Sequence, residues 1–261
     1  MIRFFEKCDR DAVMSLWAEA FGDSRERISD FLDSFCQNML VFEKEGRIAS
    51  MVTILEMKIG AEKGRYIYAL ATDKRFRGQG LATELIEYVK RFLTENGEKF
   101  LILLPQSKSL YDFYEKRGFS KLFCTKTIQM SDLSDFYGLD VKKITAKDYF
   151  KRRKEYFKKE RYAEWDIKML EYMRTLYNGE FVSVEKDGKL LLAAFCHKNA
   201  DKLIVSELLS YYDEDEVICG LAHFFTAEEV LCLKAEKTAE PFAMAYPSEY
   251  ADVFFGLGMN F

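Results

Sequence analysis

The chain has 261 residues, with 39 Lys and Arg against 43 Asp and Glu, and a formal net charge of −4. This slightly acidic balance disfavours nucleic acid as the main partner, and 49% hydrophobic residues allow a real core. No apolar run predicts a membrane span, and the charged start MIRFFEKCDRDA is unlike a signal peptide. The six cysteines include no CxxC pair, which favours free thiols in the cytoplasm.

The first half alternates between helical and strand patterns. Helices are predicted over DRDAVMSLWAEAFG, with Gly22 as its stop, and over SRERISDFLDSFCQ, where Asp23 and Glu26 resemble a capping box. A hairpin with its turn at Glu45-Gly46 follows, and then the strand RYIYALAT. After a glycine loop come a long amphipathic helix, the strand KFLILLP, the short helix SLYDFYEKRGF and the strand KLFCTKTIQM. This order predicts an α/β domain around a mixed sheet.

The loop that opens the long helix is KRFRGQGLATE, residues 74–84. A helix start presents unpaired backbone N–H groups and partial positive charge, and glycines let a ligand approach that backbone closely. The pattern therefore predicts a phosphate cradle. A P-loop does not fit, because neither glycine precedes Lys-Ser/Thr. A dinucleotide fingerprint fits poorly, because Thr83 stands where a third Gly or Ala belongs.

The run RGQGLA matches the Arg/Gln-x-x-Gly-x-Gly/Ala signature of the GNAT superfamily of N-acetyltransferases. The downstream segment LYDFYEKRGF resembles the closing helix of that family, and the resemblance covers residues 1–132. It implies an α/β GNAT acyl-CoA N-acyltransferase fold, with a mixed, mostly antiparallel sheet flanked by helices. It also implies acetyl-CoA as the co-substrate and no metal.

The same resemblance implies the residues that hold acetyl-CoA. Backbone groups at Leu70, Ala71 and Thr72 would pair with the pantetheine arm like an added strand. Ser107 stands where the family often has Asn and could still donate a hydrogen bond to the cofactor. The loop residues expected to bind the pyrophosphate are Arg77, Gly78, Gln79, Gly80, Leu81 and Ala82.

Acetyl transfer from a thioester to an amine needs a neutral amine, donors for the carbonyl oxygen and a proton for the leaving thiolate. The resemblance puts the general acid at Tyr114, because a phenol with a pKa of about 10 can protonate a thiolate. The alternative for Tyr114 is that it only packs the helix end. Glu56, in the strand MVTILEMKI, is a candidate general base, and the alternative is a solvent-facing strand glutamate.

The second half echoes the first. VFEKEGRIA is echoed by VSVEKDGKLLL, ALAT by ELLS at 207–210, and LYDFYEKRGF by YADVFFGLGM, with Phe254 at the tyrosine position. Where a glycine loop should stand, YYDEDEVICG carries an acidic run that begins at Asp213 and would repel a pyrophosphate. The pattern predicts a GNAT acetyltransferase domain over 1–135 and a degenerate GNAT-like domain over 141–261. The repeat lacks a counterpart of KLFCTKTIQM, so its sheet should end short or borrow a strand from the first domain.

These features predict an N-acetyltransferase that moves an acetyl group from acetyl-CoA to an amine acceptor through a ternary complex. The acceptor would be a small molecule or a peptide, and the second domain would shape its pocket. Membrane and nucleic acid are not expected as partners, and a homodimer stays open. One alternative is a non-catalytic acyl-CoA-binding regulatory module, which would keep RGQGLA without needing Tyr114. The other is a tandem-fold aminoacyl transferase, against which the intact loop argues.

Overall fold

The computed structural model describes residues 1–131, 133, 138–211 and 214–259. The chain divides into two compact units. Unit 1 consists of Met1–Ser120, Ala243–Tyr250 and, among the described residues, Met259; unit 2 consists of Lys121–Phe242 and Ala251–Gly258. The domain ranges 1–135 and 141–261 stay a prediction, and much of the stretch where they meet lies outside the described residues.

Unit 1 is built on a mixed, mostly antiparallel sheet flanked by helices, as the sequence predicts. Its strand order is β1-β2-β3-β4-β5-β13, in which only the neighbours β4 and β5 are parallel. Its elements are β1 (Ile2–Phe4), α1 (Arg10–Phe21), α2 (Arg25–Phe35), β2 (Met39–Lys44), β3 (Arg47–Ile59), β4 (Glu62–Thr72), α3 (Leu81–Glu95), β5 (Phe100–Leu103), α4 (Lys108–Glu115) and most of β13 (Glu240–Tyr246).

Local sequence signals account for most of these boundaries. Gly22 ends α1 in the left-handed conformation, with φ 77°, as predicted. Ser24, rather than the expected Asp23, caps α2 by accepting the N–H of Arg27, and the Asp23 carboxylate instead accepts the indole N–H of Trp17 at 2.9 Å. The strand β1 was not predicted, and α4 stops at Glu115, three residues before the expected Gly118.

The core of unit 1 joins the sheet to α3 and α4. Leu85 and Val89 of α3 are fully buried against Leu101 of β5 and Met244 of β13, and Tyr114 of α4 belongs to the same cluster. The apolar stripe of α3, spaced by three and four residues, explains why this long helix packs on the sheet. Across the described part of the chain, no helix has both the length and the apolar character needed to cross a membrane.

Unit 2 repeats the order of unit 1, with one additional short strand between its first two helices: strand, two helices, three antiparallel strands, a helix and a strand parallel to its neighbour. Its main sheet runs β6-β12-β11-β10-β9-β7, and a further strand pair joins β8 and β14. Its elements are β6 (Ser120–Met130), β7 (Asp140–Ile144), α5 (Ala146–Tyr156), β8 (Arg161–Glu164), α6 (Ile167–Leu176), β9 (Glu180–Lys186), β10 (Lys189–Asn199), β11 (Lys202–Ser210), α7 (Glu214–Phe225), β12 (Glu229–Glu236) and β14 (Val253–Phe254).

Each unit completes its sheet with a strand from the other half of the sequence. In unit 2, β6 pairs antiparallel with β12, from Cys124 opposite Glu236 to Met130 opposite Val230. The sequence left two outcomes open for the second sheet, to end short or to borrow a strand from the first domain. The structure has the second, and the strand is KLFCTKTIQM, from the range predicted for the first domain. In unit 1, β13 pairs antiparallel with β5, with Met244 opposite Leu103. This return strand was not predicted.

One predicted echo is wrong at the level of structure. The segment YADVFFGLGM does not form a counterpart of α4; a short turn over Ser248–Tyr250 is followed by β14, which contains Phe254. The two glycines and the Val-Phe-Phe run disfavour a helix. A side chain at Gly256 would also meet the Ala235 Cβ at 2.9 Å, so this backbone packs closely against β12.

Candidate functional site

The site begins where β4 and β5 separate. The two parallel strands are paired from Gly64 opposite Phe100 to Tyr66 opposite Ile102, while β4 continues to Thr72. Glycine is needed at position 64, because a Cβ there would lie 2.5 Å from the backbone oxygen of Phe100. The two strands are therefore hydrogen-bonded to each other at one end and diverge at the other. The open end leaves a β4 edge to which an extended ligand can add.

A β-bulge marks the open end of β4. Opposite β3, Tyr68 pairs with Thr53 and Ala71 pairs with Met51, so two β4 residues face the single residue Val52 between these pairs. One of those two, Ala69, has φ 52°, which is strained for a residue other than glycine. Bulges and strained backbone are common beside functional sites, because they redirect backbone and side chains.

A groove follows this open end, and we call it the strand groove. It encloses about 70 Å³ and is mainly apolar and aromatic. Its residues come from α1, β4, β5, the loop after β5, α4 and the end of the chain. They are Phe21, Tyr66, Ile67, Tyr68, Ala69, Leu70, Leu103, Leu104, Pro105, Gln106, Leu110, Tyr114 and Met259. The hydroxyl of Tyr66 donates to the Met259 carbonyl at 3.3 Å, which ties the chain end to the groove.

The glycine loop joins β4 to α3 beyond the groove. Gly78 and Gly80 have φ values of 76° and 84°, and a Cβ built on either would have nothing within 4 Å. Gly80 is the N-cap of α3 and offers no side chain to the first-turn N–H groups. A bound anion can approach this backbone closely and meet the positive end of the helix dipole. The loop geometry fits the predicted pyrophosphate cradle.

Side chains around the loop hold its shape. The Arg77 guanidinium donates through Nε to the Thr72 carbonyl at 3.1 Å. Lys44 donates to Gln79 Oε1 at 2.6 Å. The Ala71 carbonyl accepts the hydroxyl of Ser50 at 2.6 Å, so that carbonyl is already engaged within unit 1.

A second cavity, which we call the loop cavity, lies over the glycines. It has a volume of about 370 Å³, and among its lining residues are Thr72, Gly78, Gly80, Thr83 and Arg117. Arg117 follows α4 and is not among the site residues that the sequence predicts. The segment FYEKRGF placed a cation there, but nothing in the pattern showed which way its side chain points.

Tyr114 is brought to the strand groove by α4. Its ring packs edge-on against Phe113 and Phe119, with centroids 5.1 and 5.6 Å away, and it is almost fully buried. Burial raises the pKa of Tyr114 well above its usual value, and the nearby positive charge of Arg117 offsets part of that rise. Tyr114 is therefore protonated at neutral pH.

Two predicted residues lie apart from both cavities. Glu56 is on the solvent side of β3, its side chain is 74% exposed, and it pairs with Arg65 at 3.5 Å. It does not line the strand groove, so the structure offers no support for it as a general base. Ser107 is the exposed N-cap of α4 and shares a hydrogen bond of 3.0 Å with the Ser109 hydroxyl.

Another cavity of unit 1, of about 460 Å³, contains none of the predicted site residues. Two of its arginines pair with two of its carboxylates: Arg3 with Asp9 at 2.6 Å, and Arg75 with Asp73. Within the described residues, no three His, Cys, Asp or Glu side chains come together to form a metal site.

The comparisons with known proteins agree with this geometry. The family model described as "Acetyltransferase (GNAT) domain" matches residues 8–131. A GCN5-related N-acetyltransferase from Anabaena variabilis has a TM-score of 0.73, with 14% identity over 94% of this chain and 72% of that one.

Two further GCN5-related N-acetyltransferases have the same fold. The Kribbella flavida protein has a TM-score of 0.66 and 16% identity, over 94% of this chain and 70% of that one. The Sphaerobacter thermophilus protein has a TM-score of 0.59 and 12% identity, over 100% of this chain and 97% of that one. No curated protein matches the sequence in a direct comparison. The chain therefore has the GNAT fold, and the part of it that matches the GNAT acetyltransferase model is residues 8–131.

Proposed function

We propose that this protein is an N-acetyltransferase that moves an acetyl group from acetyl-CoA to an amine acceptor in a ternary complex. The observation that carries the proposal is the alignment of three features in unit 1: the glycine loop, the open β4 edge and Tyr114. The acceptor is a small molecule or a peptide.

The backbone of unit 1 binds the donor. The amides of residues 78–82 hold the pyrophosphate at the start of α3, where Gly78 and Gly80 leave room for it. The β4 edge around Leu70 to Thr72 takes the pantetheine arm as an added strand. Leu70 lines the strand groove and Thr72 lines the loop cavity, so this one short stretch of β4 borders both cavities.

Tyr114 acts as the general acid. The amine attacks the thioester carbonyl, a C–N bond forms and the C–S bond breaks. Tyr114 gives its phenolic proton to the departing thiolate, the amine proton goes to solvent, and the Tyr114 phenolate regains a proton from solvent. The raised pKa keeps Tyr114 protonated, so that the phenol is available as a proton donor when the thiolate develops beside it. A backbone N–H near the bulge, at Ala71 or Thr72, polarises the carbonyl oxygen.

The direct test is a turnover screen. Acetyl-CoA is supplied with panels of amines, amino acids, polyamines and peptides, and released thiol is measured. Turnover with at least one amine, together with mass-spectrometric detection of the N-acetyl product, supports the proposal. Binding of acetyl-CoA without turnover of any amine would favour the regulatory module instead, and no binding at all would reject both.

The cellular location belongs to the same proposal. The six cysteines are all free thiols, and Cys196, Cys219 and Cys232 are buried. Free thiols suit the reducing cytoplasm, where acetyl-CoA is also available.

A further inference from the structure

Arg117 lines the loop cavity together with the glycine loop, and the GNAT signature RGQGLA does not include it. The inference about it rests on the proposed function, since it concerns the donor that the cavity would hold. The Arg117 side chain is half-buried, and the residues around it determine the orientation of its guanidinium.

Three hydrogen bonds and one ring contact fix the Arg117 side chain. Its Nε donates to the hydroxyl oxygen of Thr83 at 3.0 Å, and a terminal nitrogen donates to the same oxygen. The other terminal nitrogen donates to the Phe113 carbonyl at 2.5 Å. The guanidinium also stacks on the Phe113 ring, 3.4 Å from its centroid. Because the guanidinium is already oriented, the Arg117 side chain has little conformational entropy left to lose when it binds an anion.

The backbone that carries Arg117 is also held. Lys90 of α3 donates to the Arg117 carbonyl at 2.5 Å and lies over the Tyr246 ring, 4.5 Å from its centroid. Both α3 and α4 therefore support the position of this side chain relative to the glycine loop. A cation held between these helices has a fixed direction toward the cavity.

The charge of Arg117 is not neutralised by a partner. Among the described residues, no carboxylate forms an ion pair with it, whereas Arg75 pairs with Asp73 and Arg65 pairs with Glu98. Glu87 acts on it through its field, but the Glu87 carboxylate accepts a hydrogen bond from Lys90 at 2.8 Å. Burial lowers the pKa of Arg117, which means that its charged form lacks compensation in the free protein.

The hydrogen-bonding capacity of the Arg117 guanidinium is also incompletely used. A guanidinium has five N–H donors. The contacts to Thr83 and Phe113 use three of them, so two remain for a ligand. Planar donors of this kind match phosphate oxygens, to which they bind with charge-assisted hydrogen bonds.

We propose that Arg117 binds a phosphate of the donor's nucleotide portion, across the loop cavity from the amides of Gly78 and Gly80. Thr83 and Phe113 are positioning residues, because they aim the guanidinium without touching the phosphate. The cavity therefore recognises phosphate from two sides, with neutral backbone donors on one and a side-chain cation on the other. The phosphate is either one of the pyrophosphate pair or the 3′-phosphate of the ribose.

The test measures CoA binding to the full chain by calorimetry. Arg117→Leu is compared with the wild type and with Arg91→Leu, which removes an exposed arginine of α3 that does not line the loop cavity. We expect Arg117→Leu to weaken CoA binding about 10- to 100-fold, the range for loss of charge-assisted hydrogen bonds, and Arg91→Leu to leave it unchanged. Affinity within twofold of the wild type in Arg117→Leu would overturn the inference.

Dephospho-CoA, which lacks the 3′-phosphate, identifies the phosphate. If Arg117 binds the 3′-phosphate, Arg117→Leu binds CoA and dephospho-CoA equally well, while the wild type prefers CoA. If it binds the pyrophosphate, the variant loses affinity for both ligands by the same factor. Failure of the wild type to bind CoA would reject the proposed function itself, which separates the two claims.

Two milder variants cover the case in which Arg117→Leu fails to fold. Arg117→Lys keeps the charge but loses the planar fork, and we expect a loss of about 3- to 10-fold. Thr83→Val removes the oxygen that aims the guanidinium and should weaken CoA binding by a smaller factor, with a steeper loss as salt rises. Wild-type affinity and salt dependence in both variants would overturn the inference.

Discussion

The connection between β4 and α3 in unit 1 spans residues 73–80, whereas the corresponding connection between β11 and α7 in unit 2 spans 211–213. The longer one contains two glycines with positive φ and ends in a helix start without a side-chain cap. The shorter one leads into a helix whose first turn carries Glu214, Asp215 and Glu216. Asp213, which the sequence analysis placed in this acidic run, lies outside the described residues.

The acidic helix start of unit 2 is occupied by internal partners. Glu214 is held by Lys126 at 3.4 Å and by Lys234. A carboxylate at this position satisfies the helix dipole and repels a phosphate. Two units with the same order of elements thus differ in the length and charge of one connection, and we expect this difference to decide whether an anion can reach the helix start.

The strands that precede these connections, β4 in unit 1 and β11 in unit 2, show the same contrast. In β11, Glu207 is buried and accepts hydrogen bonds from Arg153 at 2.8 Å and from Tyr149 at 2.7 Å. The sequence echo aligns Glu207 with Ala69, the bulge residue that lines the strand groove of unit 1. Unit 2 therefore has an internal ion pair on a strand whose counterpart borders a groove.

The largest expected effect comes from removing unit 2. Ending the chain after residue 140 also removes β13, which pairs with β5 and buries Met244 in the core of unit 1. We expect the fragment to lose cooperative thermal unfolding and CoA binding together. A milder test of the same strand is Met244→Ala in the full chain, which should lower the free energy of unfolding of unit 1 by about 2–5 kcal/mol. A fragment that unfolds cooperatively and binds CoA would show that β13 is dispensable.

Gly80→Asp gives unit 1 the acidic helix start of unit 2. It places a β-carbon and a negative charge in the cradle, at φ 84°. We expect acetyl-CoA affinity, measured by calorimetry, to fall at least about 100-fold. Gly97→Asp is the matched control, because Gly97 also has positive φ, 67°, and open space, but lies past the far end of α3. Equal losses in the two variants would mean that backbone strain, and not the cradle, causes the effect.

Tyr114→Phe removes one hydroxyl at the strand groove. We expect the turnover rate to fall about 100-fold while acetyl-CoA affinity stays similar. Because burial raises the pKa of Tyr114, the wild-type rate should show no alkaline decline from its ionisation up to about pH 10. An unchanged rate in the variant would assign the proton transfer to water.

Glu214→Gln has the smallest expected effect and concerns unit 2 alone. Burial raises the pKa of Glu214, but Lys234 and Lys126 outweigh it, so the pKa lies below its usual value. The ionised group therefore stabilises the folded unit above its unfolded pKa, and this contribution is lost as pH falls through the lower folded pKa. At neutral pH the variant should lose about 1 kcal/mol in denaturant unfolding, with the difference fading below about pH 4, and acetyl-CoA affinity should not change.

Local signals were enough to predict much of unit 1. The Glu45-Gly46 turn, the glycine loop and the apolar stripe of α3 are each encoded within a few residues, and all three are found. The strand exchange through β13 could not be predicted, because nothing near residue 243 specifies a partner at Leu103. Arg117 was missed for a related reason: its direction depends on Thr83, which is distant in sequence. The bulge at Ala69 could not be predicted either, because alanine is not a residue that marks a bulge in a sequence.

The central claim is that unit 1 holds the donor site and that unit 2 holds none. Calorimetric titration of the full chain with acetyl-CoA tests it most directly, with the Gly80→Asp variant titrated in parallel. The account predicts one acetyl-CoA per chain in the wild type and no measurable binding in the variant over the same concentration range. Two acetyl-CoA per chain, or a full site that survives in Gly80→Asp, would contradict it.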